Sequence, residues 1–276
     1  MKLFTKTWKQ DLVWLNWAFR SIYKFCDEQI VWHIVVEDDM RGEVRRIADE
    51  CAKDINTPHR HEVIIHGLVA WPELSAIKDD YMGQQWVKMM AHRVIGDDLV
   101  WAWDSDVCAQ RHFTEANFLG KNGLPIYWFS EIDRLKSCEN NATGATFYDI
   151  FCKRAKVLES MFSCKVSREW MRCMPIPLIG SILKKGSEHS AWGKAFQECV
   201  AGNHMFSEFN VIAQYAYIYF NNSFDWKDED IDGPTWGGFQ STFFNRSCGD
   251  ATIACQYYSW GGETPEFKNW LKKEFK

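Results

Sequence analysis

The sequence has few of the features that would place the chain outside the ordinary globular proteins. It holds only 7 prolines in 276 residues and no low-complexity tract, so a disordered or fibrous chain is excluded. No apolar run approaches the roughly 18–20 residues that a membrane-spanning helix needs. The formal net charge of −5 lacks the basic excess of proteins that coat nucleic acid, although it is compatible with a local basic patch.

Several functional motifs are absent as well. The ten cysteines include no C-x-x-C pair and no Cys/His cluster at zinc spacing, so we expect buried free thiols and a reducing cytoplasm. The first ten residues contain no apolar segment with a cleavage site, so we expect no secretory signal. The G-x-S-x-G, P-loop, G-x-G-x-x-G and H-E-x-x-H motifs are missing, which removes the usual evidence for hydrolases and dehydrogenases.

Tryptophan is unusually frequent. The chain has 15 tryptophans within an aromatic fraction of 16%. Such rings mainly fill cores, because each can bury roughly 150–250 Å². Flat aromatic faces also stack on sugars or bases, and the two roles can coexist in one protein.

The first hundred residues alternate short apolar runs with helical periodicity, which is the pattern of βα units. Strands are predicted at residues 2–5, 30–36, 62–65 and 99–103, and helices from about residue 11, over 41–53 and near 82–90. A further strand is predicted at 126–129, and further helices at 147–158, 188–200, 207–220 and 264–275. Residues 225–238 are predicted to form a loop. No internal repeat or clear linker interrupts the chain. We therefore predict one α/β domain over residues 1–276.

Two carboxylates follow the fourth predicted strand. Asp104 and Asp106 come directly after Leu-Val-Trp-Ala-Trp, where a strand gives way to a turn. In open α/β sheets, ligands bind beyond the carboxyl ends of the strands. Carboxylate oxygens two residues apart can converge on one hard cation, which favours Mg²⁺ or Mn²⁺. A D-x-D sequence is short and often marks only a solvated turn, so its context matters.

That context resembles a known family. The segment 81–90 contains Gln84-Gln85-Trp86-Val87-Lys88, and about a dozen residues later comes the strand end at Asp104-Ser105-Asp106. This order resembles the donor-binding region of GT-A-fold, D-x-D-containing glycosyltransferases. It is most similar to a bacterial and phage group with a Gln-Gln-x-x-Lys helix before an Asp-Ser-Asp strand end. Phe4-Thr5-Lys6-Thr7 and Ser207-Glu208-Phe209-Asn210 resemble further elements of that group, so the likeness extends over residues 1 to about 220.

The resemblance implies a GT-A-like (Rossmann-like) domain with a central mixed, mostly parallel sheet flanked by helices. Residues 1–110 would form the donor half, and residues 111–276 the acceptor half with a C-terminal helix. Asp104 and Asp106 would hold Mn²⁺ or Mg²⁺ on the donor diphosphate, Lys88 would approach the phosphates, and Gln85 would contact the sugar or a phosphate. The resemblance further places Thr5, Thr7 and either Asp38 or Asp39 near the nucleotide, and Glu208 near the sugar or the acceptor.

Other site residues are less specified. A third metal ligand is commonly a late histidine in such folds, and His189 and His204 are the candidates, although a lone histidine is more often an ordinary surface or core residue. Glu208 would act as a general base in an inverting enzyme or as a polar support in a retaining one; it would otherwise only occupy a helix start capped by Ser207. The sequence departs from the group's pattern at residues 174–186, which are unusually apolar.

Three functions stay open. The first is a cytoplasmic glycosyltransferase, in a bacterium or a phage-infected host, that moves a hexosyl or pentosyl group from a UDP-sugar or similar donor to a glycan. Its acceptor would meet Trp226, Trp236 and Trp260 in loop sequence. The second is a transferase acting on hydroxymethylated pyrimidines in DNA, for which a terminal helix with Lys268, Lys272, Lys273 and Lys276 offers a modest basic patch. The third is a non-catalytic carbohydrate- or nucleotide-binding module.

Overall fold

A computed structural model describes residues 1–57, 59, 61–137, 147–170, 174–229, 231, 239–241, 254–256 and 265–275. Its strands are β1 (Lys2–Lys6), β2 (Val31–Val35), β3 (Glu62–His66), β4 (Leu99–Ala102), β5 (Val107–Ala109), β6 (Ile126–Glu131), β7 (Arg168–Glu169), β8 (Ile176–Ile179), β9 (Asp225–Asp228), β10 (Phe239–Ser241) and β11 (Ala254–Gln256). Its α-helices are α1 (Leu12–Phe25), α2 (Arg41–Ile55), α3 (Asp80–Met89), α4 (His92–Ile95), α5 (Phe147–Phe162), α6 (Gly180–Ser187), α7 (Ser190–Ala201), α8 (Glu208–Tyr219) and α9 (Pro265–Glu274).

The central sheet has the strand order β3-β2-β1-β4-β8. The first four of these strands run parallel, and β8 is antiparallel to β4 at the edge. Two smaller three-stranded sheets have the orders β10-β11-β5 and β7-β6-β9. Helices flank the central sheet, which confirms the predicted α/β architecture with a mixed, mostly parallel sheet.

The alternation of residues along β1 and β2 explains how the sheet is covered. Register pairs Phe4 with His33 and Thr5 with Ile34, so alternate residues face opposite sides. Trp32 lies on the same side as Thr5 and contacts Phe19 of α1, with ring centroids 4.6 Å apart. The apolar stripe of α1 therefore covers one side of β1 and β2, as its periodicity predicts.

The apolar segment at residues 174–186 proves to be part of the framework. Residues Ile176–Ile179 form β8, which pairs with β4 in the register Leu99 with Ile179. The segment continues directly into α6, which starts at Gly180. A side chain on Gly180 could not be accommodated, because a Cβ there would lie 1.9 Å from the carbonyl oxygen of Gly96. The unusual apolarity is thus explained by a central-sheet strand.

Two local predictions are wrong. The loop predicted for 225–238 begins instead with β9, which pairs in parallel with β6. Not all thiols are buried: four described free cysteines are, but Cys152 and Cys164 are only partly covered.

The C-terminal helix α9 packs against α1. Lys24 forms an ion pair with Glu274 at 2.9 Å, and the Trp17 and Phe275 rings lie 5.8 Å apart. Lys268, Lys272 and Lys273 are exposed, while Lys276 lies outside the described residues. Among the helices that the structure describes, none is long and apolar enough to cross a membrane.

Candidate active site

Hydrogen bonds join the carboxyl ends of β1 and β4. The Trp103 amide donates to the Phe4 carbonyl at 2.9 Å, and the Thr5 hydroxyl donates to the Trp103 carbonyl. The Trp32 indole in turn donates to Thr5 Oγ1 at 2.9 Å. Thr5, predicted to lie near the nucleotide, therefore fixes the strand end from which Asp104 projects, and its hydroxyl is already engaged in two hydrogen bonds.

A tight turn presents the two aspartates. The Val107 amide donates to the Asp104 carbonyl at 3.0 Å, and the Trp103 indole donates to the Val107 carbonyl at 2.8 Å. The Asp104 side chain keeps 13% of its surface exposed, whereas Asp106 is buried. The buried Trp103, next to the motif, thus holds the turn in place.

Lys88 joins the aspartate motif to α8. Its Nζ lies 2.7 Å from Asp104 Oδ1 and 3.1 Å from Glu208 Oε1, and 4.6 Å from the centre of the Phe209 ring. Burial by itself lowers the pKa of Lys88, but the carboxylates of Asp104 and Glu208 outweigh it and raise that pKa above its ordinary value. Lys88 is therefore a buried ammonium ion, and the three side chains together keep a formal charge of −1.

Gln85 positions the first residue of α8. The Glu208 amide donates to Gln85 Oε1 at 3.0 Å, while Gln85 Nε2 faces the Met82 sulfur at 3.8 Å. Ser207 occupies the N-cap position as predicted, but its side chain makes no capping hydrogen bond. Gln85 supplies the acceptor for one of the free N–H groups of the helix start instead. One turn of α3, from Gln85 to Lys88, thus holds both the backbone and the carboxylate of Glu208.

A second buried network supports the same end of α8. Asn210 Nδ2 donates to Glu169 Oε1 at 3.0 Å, and the Trp170 amide donates to Asn210 Oδ1 at 2.8 Å. Arg154 pairs with Glu169 at 3.3 Å. Sequence reasoning missed Arg154 and Glu169, because the contact spans residues from α5, β7 and α8 that no short motif connects.

The two candidate histidines have other partners. His204 Nε2 lies 3.1 Å from Asp79 Oδ2, and the His204 ring stacks on Tyr81. His189 caps α7, its Nδ1 accepting from the Ala191 amide at 3.1 Å. Their role as a third metal ligand stays a prediction. Over the ranges that the structure describes, no group of three His, Cys, Asp or Glu side chains is placed to hold a metal ion.

Three further polar side chains lie at the ends of β1 and β2. Lys6 and Thr7 are fully buried, and neither Thr7 Oγ1 nor Glu37 Oε2 has a hydrogen-bond partner although both atoms are buried. Asp38 and Asp39, the acids predicted near the nucleotide, are exposed. Lys6 and Glu37 were missed, although alternation along β1 puts Lys6 on the same side of the sheet as the buried Phe4.

The predicted acceptor tryptophans have different outcomes. Trp226 lies on β9 and packs into an aromatic cluster, with its ring 5.1 Å from Trp170 and 5.4 Å from Tyr127. Its indole donates to the Asn221 carbonyl at 2.8 Å. The reason for proposing it as an acceptor contact, a position in loop sequence, is therefore wrong. Trp236 and Trp260 lie outside the described residues.

Comparison with solved structures identifies the fold. Mouse xyloside xylosyltransferase 1 matches with a TM-score of 0.50 at 10% identity, covering 93% of this chain and 98% of that one. The galactosyltransferase LgtC, solved with donor and acceptor sugar analogues, matches with a TM-score of 0.52 at 13% identity, covering 100% and 97%. No protein-family model and no curated protein matches the sequence. The chain therefore has the GT-A fold of these glycosyltransferases, with the Asp104–Lys88–Glu208 cluster at the carboxyl ends of its parallel strands.

Proposed function

We propose that the chain is a metal-dependent glycosyltransferase. It moves a sugar from a nucleotide-sugar donor, with a UDP-sugar favoured, to a hydroxyl group of a glycan acceptor. The observation that carries this proposal is the buried ion cluster in which Lys88 bridges Asp104 and Glu208. A buried charge cluster beyond the strand ends of an α/β sheet is costly to maintain, and such clusters concentrate at functional sites.

The donor atoms at the aspartate turn fit Mg²⁺ or Mn²⁺. Both Asp104 and Asp106 offer carboxylate oxygens, which are the ligands these hard cations prefer. Mg²⁺ commonly takes one or two protein carboxylates and completes its shell with substrate phosphates and water. Two aspartates are therefore a sufficient protein contribution. When bound, the cation would neutralise charge on the leaving diphosphate.

The remaining side chains have positioning roles in this proposal. Lys88 keeps the Asp104 and Glu208 carboxylates a fixed distance apart and adds positive charge where the donor phosphates would lie. Gln85 anchors the amide of Glu208, so the carboxylate is held from both its backbone and its side chain. Glu208 would then face the sugar or the acceptor hydroxyl, either accepting its proton or supporting the sugar through a hydrogen bond.

The test is turnover of a panel of UDP- and GDP-sugars, measured with Mn²⁺ and with EDTA. We expect release of the nucleoside diphosphate from at least one donor, and loss of that release in EDTA. Oligosaccharides and hydroxymethylated DNA, at a stated salt concentration, are the two acceptor arms. Binding of a donor without any turnover would support the non-catalytic module instead, and no binding at all would refute the proposal.

Matched aspartate variants sharpen that test. Asp104→Asn removes a charge from the buried cluster, whereas Asp97→Asn removes one from an exposed residue shortly before β4. We expect the first to abolish metal-stimulated turnover and the second to leave it unchanged. Equal activity of the two variants would show that the aspartate motif takes no part in the reaction.

A further inference from the structure

Lys6 is a buried lysine without a carboxylate partner. Its exposure is 0%, and within the described parts of the chain no Asp or Glu oxygen lies within ion-pair distance of its Nζ. Its close contacts are the carbonyl of Thr7, to which Nζ donates a hydrogen bond, and the ring of Trp8, 3.3 Å from Nζ to the ring centre. Lysine is almost never fully buried unless it is paired, so this position calls for an explanation.

The charged groups around Lys6 act only from a distance. Burial lowers the pKa of Lys6 to about 8; Glu37, Asp80 and Asp11 partly oppose that effect, and Lys88 adds to it. Lys88 in contrast is neutralised directly by two carboxylates. The carboxyl end of β1 therefore holds a cation whose charge no near neighbour balances.

Two polar atoms at the same strand ends lack a hydrogen-bond partner. Thr7 Oγ1 and Glu37 Oε2 are buried and have no hydrogen-bond partner. A buried polar atom left without a partner is destabilising, and such atoms commonly mark a place where a ligand or water binds. The ammonium of Lys6 has N–H groups left for an acceptor besides the Thr7 carbonyl, and the carboxylate of Glu37 needs a donor.

A nucleoside diphosphate carries both kinds of partner. Its diphosphate supplies oxyanions, and its ribose supplies hydroxyl groups. The neighbouring strand β4 pairs with β1 and leads directly to Asp104, so the two strand ends share one edge of the sheet. On these grounds, and resting on the proposed function, we propose that Lys6 binds a diphosphate oxyanion of the donor, as a second lysine beside Lys88.

We expect the Lys6 amine to take up a proton when the diphosphate binds. Above about pH 8 the Lys6 amine of the free protein is mostly neutral, and an oxyanion in contact with it stabilises the ammonium form. The proton comes from the buffer, and no covalent bond is made or broken. Glu37, Asp80, Asp11 and Lys88 are the charged groups that act on Lys6, and they are present both before and after binding.

The experiment is isothermal titration calorimetry of the whole chain with uridine, UMP, UDP and GDP in the presence of Mn²⁺. We compare the wild type with Lys6→Met, which keeps the length of the side chain but removes its charge. Lys9→Met is the control, because Lys9 is exposed three residues further on. We expect Lys6→Met to weaken UDP binding roughly 10- to 100-fold, as for loss of a hydrogen bond to a charged group, and to leave uridine binding unchanged.

Two further readouts distinguish binding from structure. At pH 8.5, UDP titrations in two buffers of different ionisation enthalpy should reveal uptake of roughly half to one proton by the wild type and none by Lys6→Met. Thermal unfolding without ligand should show Lys6→Met at least as stable as the wild type, because a buried unbalanced charge is removed. A lysine with only a structural role would give the opposite result.

The outcomes separate the two proposals. If the wild type binds UDP or GDP but Lys6→Met binds it equally well, the assignment of Lys6 is refuted and the proposed function stands. If uridine binding falls as much as UDP binding, Lys6 contacts the nucleoside and its assignment to the diphosphate is refuted. If the wild type binds no nucleoside diphosphate, both proposals are refuted.

Discussion

Replacing Lys88 by methionine tests whether its ammonium compensates the two carboxylates it contacts. The substitution retains a long apolar side chain of similar volume, so it isolates the charge. Lys88 and Glu208 keep only 4% of their side-chain surfaces exposed, and Asp104 keeps 13%. Removing one partner of a buried ion pair costs about 3–5 kcal/mol, because the charge left behind is neither solvated nor paired. Here two carboxylates of the same sign are left facing each other.

We expect Lys88→Met to lower the free energy of unfolding by about 3–5 kcal/mol, measured by urea denaturation at pH 7. The control is Lys2→Met, since Lys2 pairs with Asp98 at 2.5 Å but on the surface, with 40% and 48% of the two side chains exposed. An exposed pair contributes about 0–1 kcal/mol. If Lys88→Met were as stable as the wild type, or if the two variants lost equal stability, the bridging role of Lys88 would be refuted.

Three further predictions follow from the same structure. Asp106→Ala should lower metal-stimulated turnover by roughly 100-fold or more while its far-UV circular dichroism stays native; unchanged Mn²⁺ affinity in that variant would show that Asp106 does not hold the ion. Trp226→Ala should lower the free energy of unfolding by about 2–4 kcal/mol, because it removes a ring from a packed aromatic cluster. A stability loss below about 0.5 kcal/mol, together with weaker acceptor binding, would support the acceptor role instead. The pKa of Lys6 in the folded chain, about 8, lies below its ordinary value of 10.5, so its ammonium destabilises the fold by about 3 kcal/mol at any pH below 8. Wild-type stability relative to Lys6→Met should therefore rise between about pH 8 and 10.5, and a flat difference over that range would contradict the low pKa.

Local patterns predicted much of the donor half of the chain. The runs at residues 30–36 and 99–103 became β2 and β4, and the apolar stripe starting near residue 11 became α1. These predictions worked because each element buries one face, and burial of one face imposes a period of two or 3.6 residues on its sequence. The position of Asp104 and Asp106 beyond β4 followed from the same pattern.

The prediction for 225–228 failed for a related reason. Asp225–Asp228 is polar and acidic, and its apolar contribution comes from Trp226 alone, so no alternation is visible in four residues. Its strand character comes from pairing with β6, which lies about a hundred residues earlier in the chain. Strand propensity depends strongly on such neighbours, and a short segment does not record them.

At the candidate active site too, some features follow from the local sequence and others only from contacts between distant residues. The sequence by itself determined the α/β architecture, the end of β4 and the residue types of the D-x-D and Gln-Gln-x-x-Lys segments. Only the tertiary structure decided that Lys88 joins Asp104 to Glu208. It also decided that Gln85 rather than Ser207 accepts the hydrogen bond of the Glu208 amide. Lastly, it decided that Lys6 is buried without a carboxylate partner among the described residues. The physical reason is that burial of one face of a helix or strand imposes a pattern on residues close together in the sequence. The balance of buried charges depends instead on contacts between residues up to 120 positions apart.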